Sequence, residues 1–233
     1  MRRFSRASGF LPKHFSLAMK NIVILISGRG SNFEAILRTS REERWEETLG
    51  ARIAAVVSNR PEAKGLQTAK AEGIPAEVVD HKAYATREEF EQKLGEVVDS
   101  YQPDLIVLAG FMRILTEKFV GPREGRILNI HPALLPLFKG LDTHQRAIDA
   151  GVRVHGSTVH FVSAALDGGA IIGQAVVPVL PGDDADRLAH RGLELEHVLY
   201  PKVCRAFLEG RVALKEGRAV MDDETARSLA IFY

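Results

Sequence analysis

The chain has 233 residues, of which 31 are basic and 30 acidic, giving a formal charge of +1. That balance excludes a global field favouring nucleic acid, membrane or an acidic partner, so any anion site must be local. No apolar run approaches the roughly 18–20 residues that span a bilayer, and the single cysteine, Cys204, excludes an internal disulfide framework. A lone thiol of this kind reads as a small buried hydrophobe in a reducing compartment, and the expected localisation is cytoplasmic.

The first twenty residues carry Arg2, Arg3, Arg6, Lys13 and Lys20 with no acid. Gly9 and Pro12 interrupt any amphipathic helix there, and no apolar core of a secretory signal forms. Residues 1–18 therefore read as a disordered basic extension, or as an upstream start with Met19 as the working one. From Asn21 onward short apolar runs alternate with helix-length amphipathic stretches, the pattern of a parallel sheet covered by helices. Strands are expected at 22–26, 53–57, 77–79, 105–109 and 127–130, and helices near 32–39, 63–71, 87–100 and 117–120. The fold class that follows is α/β, with a doubly wound, mostly parallel sheet flanked by helices.

Farther along, residues 154–162 alternate in polarity and lead to Asp167-Gly168-Gly169, after which residues 171–179 run apolar. Two strands around an Asp-Gly-Gly turn are expected. A long helix should run from about 184 to 209 and end at Gly210 in the C′ position. The tail from Arg211 reads as a short hairpin about Glu216-Gly217 with a weakly patterned end.

Three features carry chemistry. Ser27-Gly28-Arg29-Gly30-Ser31-Asn32 joins the first strand to the first helix, where free backbone N–H groups and the positive helix end can hold an anion, with phosphate the natural one. A dinucleotide fingerprint would need a third small residue where Phe33 stands and an acid where the second strand ends in Ser58-Asn59; no Gly-Lys-Ser/Thr is present either. The competing view is a tight turn with Ser31 or Asn32 as helix cap. Asn129-Ile130-His131-Pro132 lies at the C-terminal end of a strand, where ligands of open α/β sheets collect. Asn129 and His131 share one face of an extended chain, so an amide and an imidazole can converge on one atom, although His131 alone equally suits a hydrogen-bonded strand end. Asp167 by itself is indistinguishable from an ordinary turn aspartate. His155 and His160 face opposite sides of their strand, and His190 and His197 fit a solvated helix face, so no metal is expected.

Taken together, these segments resemble the phosphoribosylglycinamide formyltransferase family, folate-dependent enzymes of purine synthesis, over roughly residues 19–210. The likeness rests on four ordered motifs: residues 26–32; Val107-Leu108-Ala109-Gly110-Phe111-Met112-Arg113-Ile114-Leu115; Asn129 through Pro136; and His155-Gly156-Ser157-Thr158-Val159-His160-Phe161 leading to Asp167-Gly168-Gly169. Arg29 stands where many members have another polar residue and Asp142 where some have histidine, and neither touches the inferred catalytic set. The resemblance implies a formyltransferase fold with a Rossmann-like N-terminal half, in a single domain over 19–233. Its phosphate-binding half would cover about 19–120 and its folate and catalytic half about 121–210, before a short tail.

The same resemblance implies 10-formyltetrahydrofolate as co-substrate, no metal, small-molecule partners only, and a monomer or weak homodimer. Gly30, Ser31 and Asn32 would hold a substrate phosphate and Glu196 the glycinamide-ribose part. Arg87, Met112, Arg113, Ile114 and Leu115, with Asn129, Asp167 and the loop 163–167, would meet the folate; without the resemblance Met112, Ile114 and Leu115 read as core packing. Asn129, His131 and Asp167 would be catalytic. Formyl transfer to an amine passes through a tetrahedral intermediate whose oxyanion needs donors, which Asn129 and a protonated His131 can supply while Asp167 pairs with the imidazolium. The nearest rivals are a formyltetrahydrofolate hydrolase and a methionyl-tRNA formyltransferase. Both usually carry an additional domain, and the tRNA enzyme would favour a basic surface. A non-catalytic phosphate- or nucleotide-binding protein is the rival from another class.

Overall fold

A computed structural model of the chain describes residues 19–233, so the expectation for residues 1–18 lies outside the described residues. The first half alternates strand and helix as its sequence pattern predicts: β1 (Lys20–Ile26), α1 (Ser31–Glu42), α2 (Trp45–Thr48), β2 (Ala51–Ser58), α3 (Lys64–Ala71), β3 (Ala76–Val78), α4 (Arg87–Ser100), β4 (Leu105–Leu108) and α5 (Glu117–Val120). Then follow β5 (Ile127–His131), α6 (Thr143–Asp149), β6 (Val154–Phe161), β7 (Ile171–Pro178) and α7 (Ala185–Leu208). The chain closes with β8 (Ala213–Lys215), β9 (Arg218–Val220), α8 (Asp223–Ser228) and β10 (Ala230–Phe232).

Eight strands form one sheet in the order β10-β7-β6-β5-β4-β1-β2-β3. From β3 to β5 every pairing is parallel, β6 runs antiparallel to both neighbours, and β10 pairs parallel with β7. The chain winds from β1 out to β3, then returns through α4 to β4 on the other side of β1. The order thus reverses between β1 and β4, where open α/β sheets hold ligands at the C-terminal strand ends.

Alternation along β1 separates the two faces of the core. Ile22, Ile24 and Ile26 pack with Phe33 and Ile36 of α1 and with Leu199 and Val203 of α7, while Val23 and Leu25 pack with Phe90, Leu94 and Val98 of α4. A strand buried on both faces reads as a continuous apolar run, which is why these strands are plain in the sequence. The bounds of α4 coincide with expectation because Thr86 and Glu89 form a reciprocal capping box. Among the described residues no helix is long and apolar enough to cross a membrane.

Several elements differ from expectation. The short helices α2 and α6 have no predicted counterpart: each is less than two full turns, and α2 is anchored by the single buried Trp45. The expected hairpin about Glu216-Gly217 forms as β8 and β9, and the weakly patterned end beyond it holds α8 and β10, for which the sequence predicts no element. His197 is a correction too: it faces α1, with its Nε2 buried and without a hydrogen-bond partner, whereas His190 is exposed.

Tyr200 ties the centre of the sheet to α7. Its buried hydroxyl lies 3.0 Å from the Leu108 carbonyl oxygen and 2.9 Å from that of Leu128, and donates its one proton between them. Tyr200→Phe should therefore lower unfolding free energy by about 1–2 kcal/mol, read from denaturant midpoints at constant m-value. A shift below about 0.3 kcal/mol would mean that both carbonyls are satisfied without it.

Candidate active site

The glycine loop, the segment after β4 and the segment after β5 all leave the C-terminal edge of the parallel strands. In the first, Gly30 caps α1 in the left-handed region, φ 81°, with no side-chain cap, so neither Ser31 nor Asn32 takes the capping role. A Cβ at Gly30 would meet the Cα of Gly65 at 3.2 Å, so glycine serves here both the turn and the close approach to α3. The first-turn N–H groups of α1 consequently have no side-chain acceptor of their own.

After β4, residues 111–116 are pinned from two sides. The Met112 backbone N–H donates to Ser27 Oγ at 2.7 Å, and Ser27 Oγ donates to Asn59 Oδ1 at 2.5 Å. On the α4 side, Glu91 accepts from the Thr116 backbone N–H at 3.0 Å and from the Thr116 hydroxyl, while Arg87 Nε bonds Glu91 at 3.2 Å and its guanidinium also reaches the Ile114 carbonyl. Between these anchors Met112 and Ile114 are 59% and 55% exposed, and only Leu115 is core. The core-packing alternative therefore fails for two of the three. Arg113 is exposed too, its guanidinium 6.0 Å from the Phe90 ring centre.

The third group lies on β5. In the antiparallel register Asn129 faces His160 and His131 faces Thr158. Nδ1 of His160 is 2.8 Å from the Phe161 carbonyl, to which it must donate, leaving Nε2 to accept from Asn129 Nδ2 at 3.2 Å. Burial, the largest influence, holds His160 below the usual imidazole range, in keeping with that neutral tautomer. The expected turn after β6 is a longer excursion, residues 162–170, that folds back over β5. It brings Asp167, φ 45°, to 3.4 Å from His131 Nδ1 and 4.0 Å from His160 Nε2. His131 Nε2 donates to the Phe138 carbonyl at 2.9 Å, and the Gly140 N–H donates to Asp167 Oδ2 at 2.9 Å. Loops 132–142 and 162–170 thus meet over one buried cluster.

Beside that cluster, His155 stacks edge-on against His144 and Phe138, with ring centres 5.1 and 5.9 Å apart. Neither of its ring nitrogens makes a hydrogen bond, and burial pushes it down to about 4, so it is neutral at physiological pH. Glu196 of α7 is buried nearby, accepting from Asn32 Nδ2 and Ser157 Oγ, both at 2.8 Å. Among the described residues no group of three or more His, Cys, Asp or Glu is arranged to hold a metal ion. Cys204 is fully buried in the core, away from these groups, its thiol pushed up by burial.

The structure therefore brings Asn129, His131 and Asp167 into one cluster, and Asn32 against Glu196. Sequence reasoning missed His160 and Ser157, whose place depends on the register of β6 against β5 and on the packing of α7, neither of which is written locally. Residues 20–204 match the family described as formyl transferase. The chain belongs to the formyl transferase family. Within it, the chain is 45% identical to a phosphoribosylglycinamide formyltransferase of Haemophilus influenzae and 44% identical to one of Escherichia coli. Each match runs over 204 residues, 88% of this chain and 94% of the relative. A crystal structure of glycinamide ribonucleotide transformylase 1 from Symbiobacterium toebii superposes with a TM-score of 0.84 at 42% identity, covering 92% of this chain and 100% of that one.

Proposed function

We infer that this chain transfers the formyl group of 10-formyltetrahydrofolate to the amine of N1-(5-phosphoribosyl)glycinamide, in de novo purine biosynthesis. The products are the N-formyl amide and tetrahydrofolate. One observation carries the reading: the 45% identity to a phosphoribosylglycinamide formyltransferase spans 94% of that relative. The convergence of Asn129, His131 and Asp167 supports it.

In this reading residues 19–233 act as one domain, and Gly30, Ser31 and Asn32 offer the uncapped helix start to the substrate phosphate. Glu196 accepts hydrogen bonds from the glycinamide-ribose portion. Met112 and Ile114, next to the buried Leu115, present an apolar wall to the pteridine, Arg87 and Arg113 would meet folate carboxylates, and the loop 163–167 closes the other side. The exposed apolar side chains of Met112 and Ile114 fit such a ligand, which would cover them.

Attack of the amine on the formyl carbon develops negative charge on the formyl oxygen. Asn129, oriented by His160, keeps a second amide hydrogen for that oxygen, and a protonated His131, its Nε2–H already given to the Phe138 carbonyl, offers the N–H at Nδ1, which lies 3.4 Å from Asp167. Asp167 balances the imidazolium and orders it, and His131 or a water held by Asp167 relays the proton from the attacking amine to the departing nitrogen. No covalent enzyme intermediate is required.

A three-arm assay tests both the reaction and the phosphate assignment: 10-formyltetrahydrofolate alone, with phosphoribosylglycinamide, and with the dephosphorylated riboside. Unsubstituted folate should form only when the amine is present, and the riboside should need at least about tenfold higher concentration to saturate, since charge-assisted bonds to the phosphate are lost. Folate release without amine would mark a hydrolase instead. Equal saturation by both amines would remove the phosphate from the Gly30-Ser31-Asn32 loop.

A further inference from the structure

The Glu196 carboxylate is 7% exposed, and both of its oxygens are tied to neutral side chains from different elements: Asn32 at the start of α1 and Ser157 on β6. A buried carboxylate held only by neutral donors is costly to a fold. Packing does not need it, because Leu199, Tyr200 and Val203 already seat α7 on the sheet with no exposure at all. Neighbouring hydroxyls on β6 divide the work. Thr158 accepts from the Leu135 N–H and donates to the Ala133 carbonyl, bracing the segment after His131, whereas the hydrogen bond of the Ser157 hydroxyl goes to Glu196. Beside it, Asn32 Oδ1 is buried with no hydrogen-bond partner.

We propose that Ser157 is a positioning residue for the amine substrate: its hydroxyl, with the Asn32 amide, fixes the Glu196 carboxylate so that its remaining lone pairs face the substrate's hydroxyl or amine hydrogens. This rests on the reading of Glu196 as a substrate contact. Each carboxylate oxygen uses one acceptor position on its brace and keeps another for the ligand. Burial raises the Glu196 carboxyl above its ordinary range, while the bonds from Asn32 and Ser157 pull it back down, so the brace also favours the charged form. Without Ser157 the carboxylate is freed at one oxygen and loses both orientation and part of that support.

Steady-state kinetics on Ser157→Ala, Ser157→Thr and Glu196→Gln test the assignment, with melting temperature recorded for each. Ser157→Ala should raise KM for phosphoribosylglycinamide about tenfold while kcat stays within about twofold, because binding rather than chemistry loses a charge-assisted bond. KM for the folate should not move. Ser157→Thr, which keeps the hydroxyl on the same carbon, should restore KM to within about twofold of the unaltered enzyme. If Ser157→Ala does not fold, Ser157→Cys, of similar size but with a weak donor, carries the same expectation. A raised KM in Glu196→Gln with an unchanged KM in Ser157→Ala would overturn the positioning role and leave the Glu196 reading intact. An unchanged KM in Glu196→Gln would overturn both, and a lowered melting temperature with unchanged KM in Ser157→Ala would make the hydroxyl purely structural.

Discussion

Asp167→Asn should lower turnover by about a hundredfold or more, the scale of losing one electrostatic partner of the reacting oxygen, while the protein stays folded. The substitution keeps the shape and leaves an amide oxygen to accept from the Gly140 N–H, now 2.9 Å from Asp167 Oδ2. What it removes is the negative charge facing His131 Nδ1 at 3.4 Å. Affinity for the amine substrate should change far less, since the Gly30-Ser31-Asn32 loop and Glu196, proposed to hold it, lie on other elements. Combining it with His131→Ala should cost clearly less than the product of the separate losses, as for residues acting as a unit. Turnover at saturating substrates, with ligand affinities by calorimetry, checks this. Near-normal turnover would leave Asp167 as a loop clamp acting through Gly140.

The largest loss of stability is expected from Gly169→Ala. A Cβ there would lie 1.7 Å from the Phe161 carbonyl oxygen, a distance no rotamer can relieve because the backbone fixes the Cβ and its partner is itself backbone. Phe161 is itself held by a 2.9 Å bond from its N–H to the Ala170 carbonyl and by pairing with Leu128, so the strand end must shift. A cost of about 3 kcal/mol or more is expected, seen as a melting temperature lower by roughly 6–12 °C. Activity should fall with it, because the same excursion carries Asp167. A variant melting within about 2 °C of the unaltered protein would show that the loop opens cheaply.

What was legible in the sequence follows from how local each cause is. The parallel strands announce themselves because both faces are buried, and α4 because its cap is a reciprocal pair three residues apart in Thr86 and Glu89. The cluster on β5 was legible through Asn129 and His131, which share a face by strand geometry alone. Asp167 needed the resemblance to separate it from a turn aspartate, since the 162–170 excursion that delivers it has no periodicity. His160 was passed over because its role depends on standing opposite Asn129, a register fixed by pairing over 31 residues of separation. Ser157 and His197 were hidden for the same reason, their environment being made by α7 and α1. Met112 and Ile114 show the reverse error: apolar composition suggests core, but the anchors at Ser27 and Glu91 hold their backbone at the edge, and the side chains stay out.

The position of β10 bears on the order in which the molecule can be finished on the ribosome. Three residues, Ala230–Phe232, cover the outer flank of β7, whose own sequence is complete some fifty residues earlier. Until they emerge, β7 presents unpaired backbone N–H and C=O groups to any other nascent strand. By then α7 has already been made and the Glu196 corner can assemble. The exposed flank is therefore a hazard of synthesis rather than of catalysis, and its guard is made only after the whole of α7.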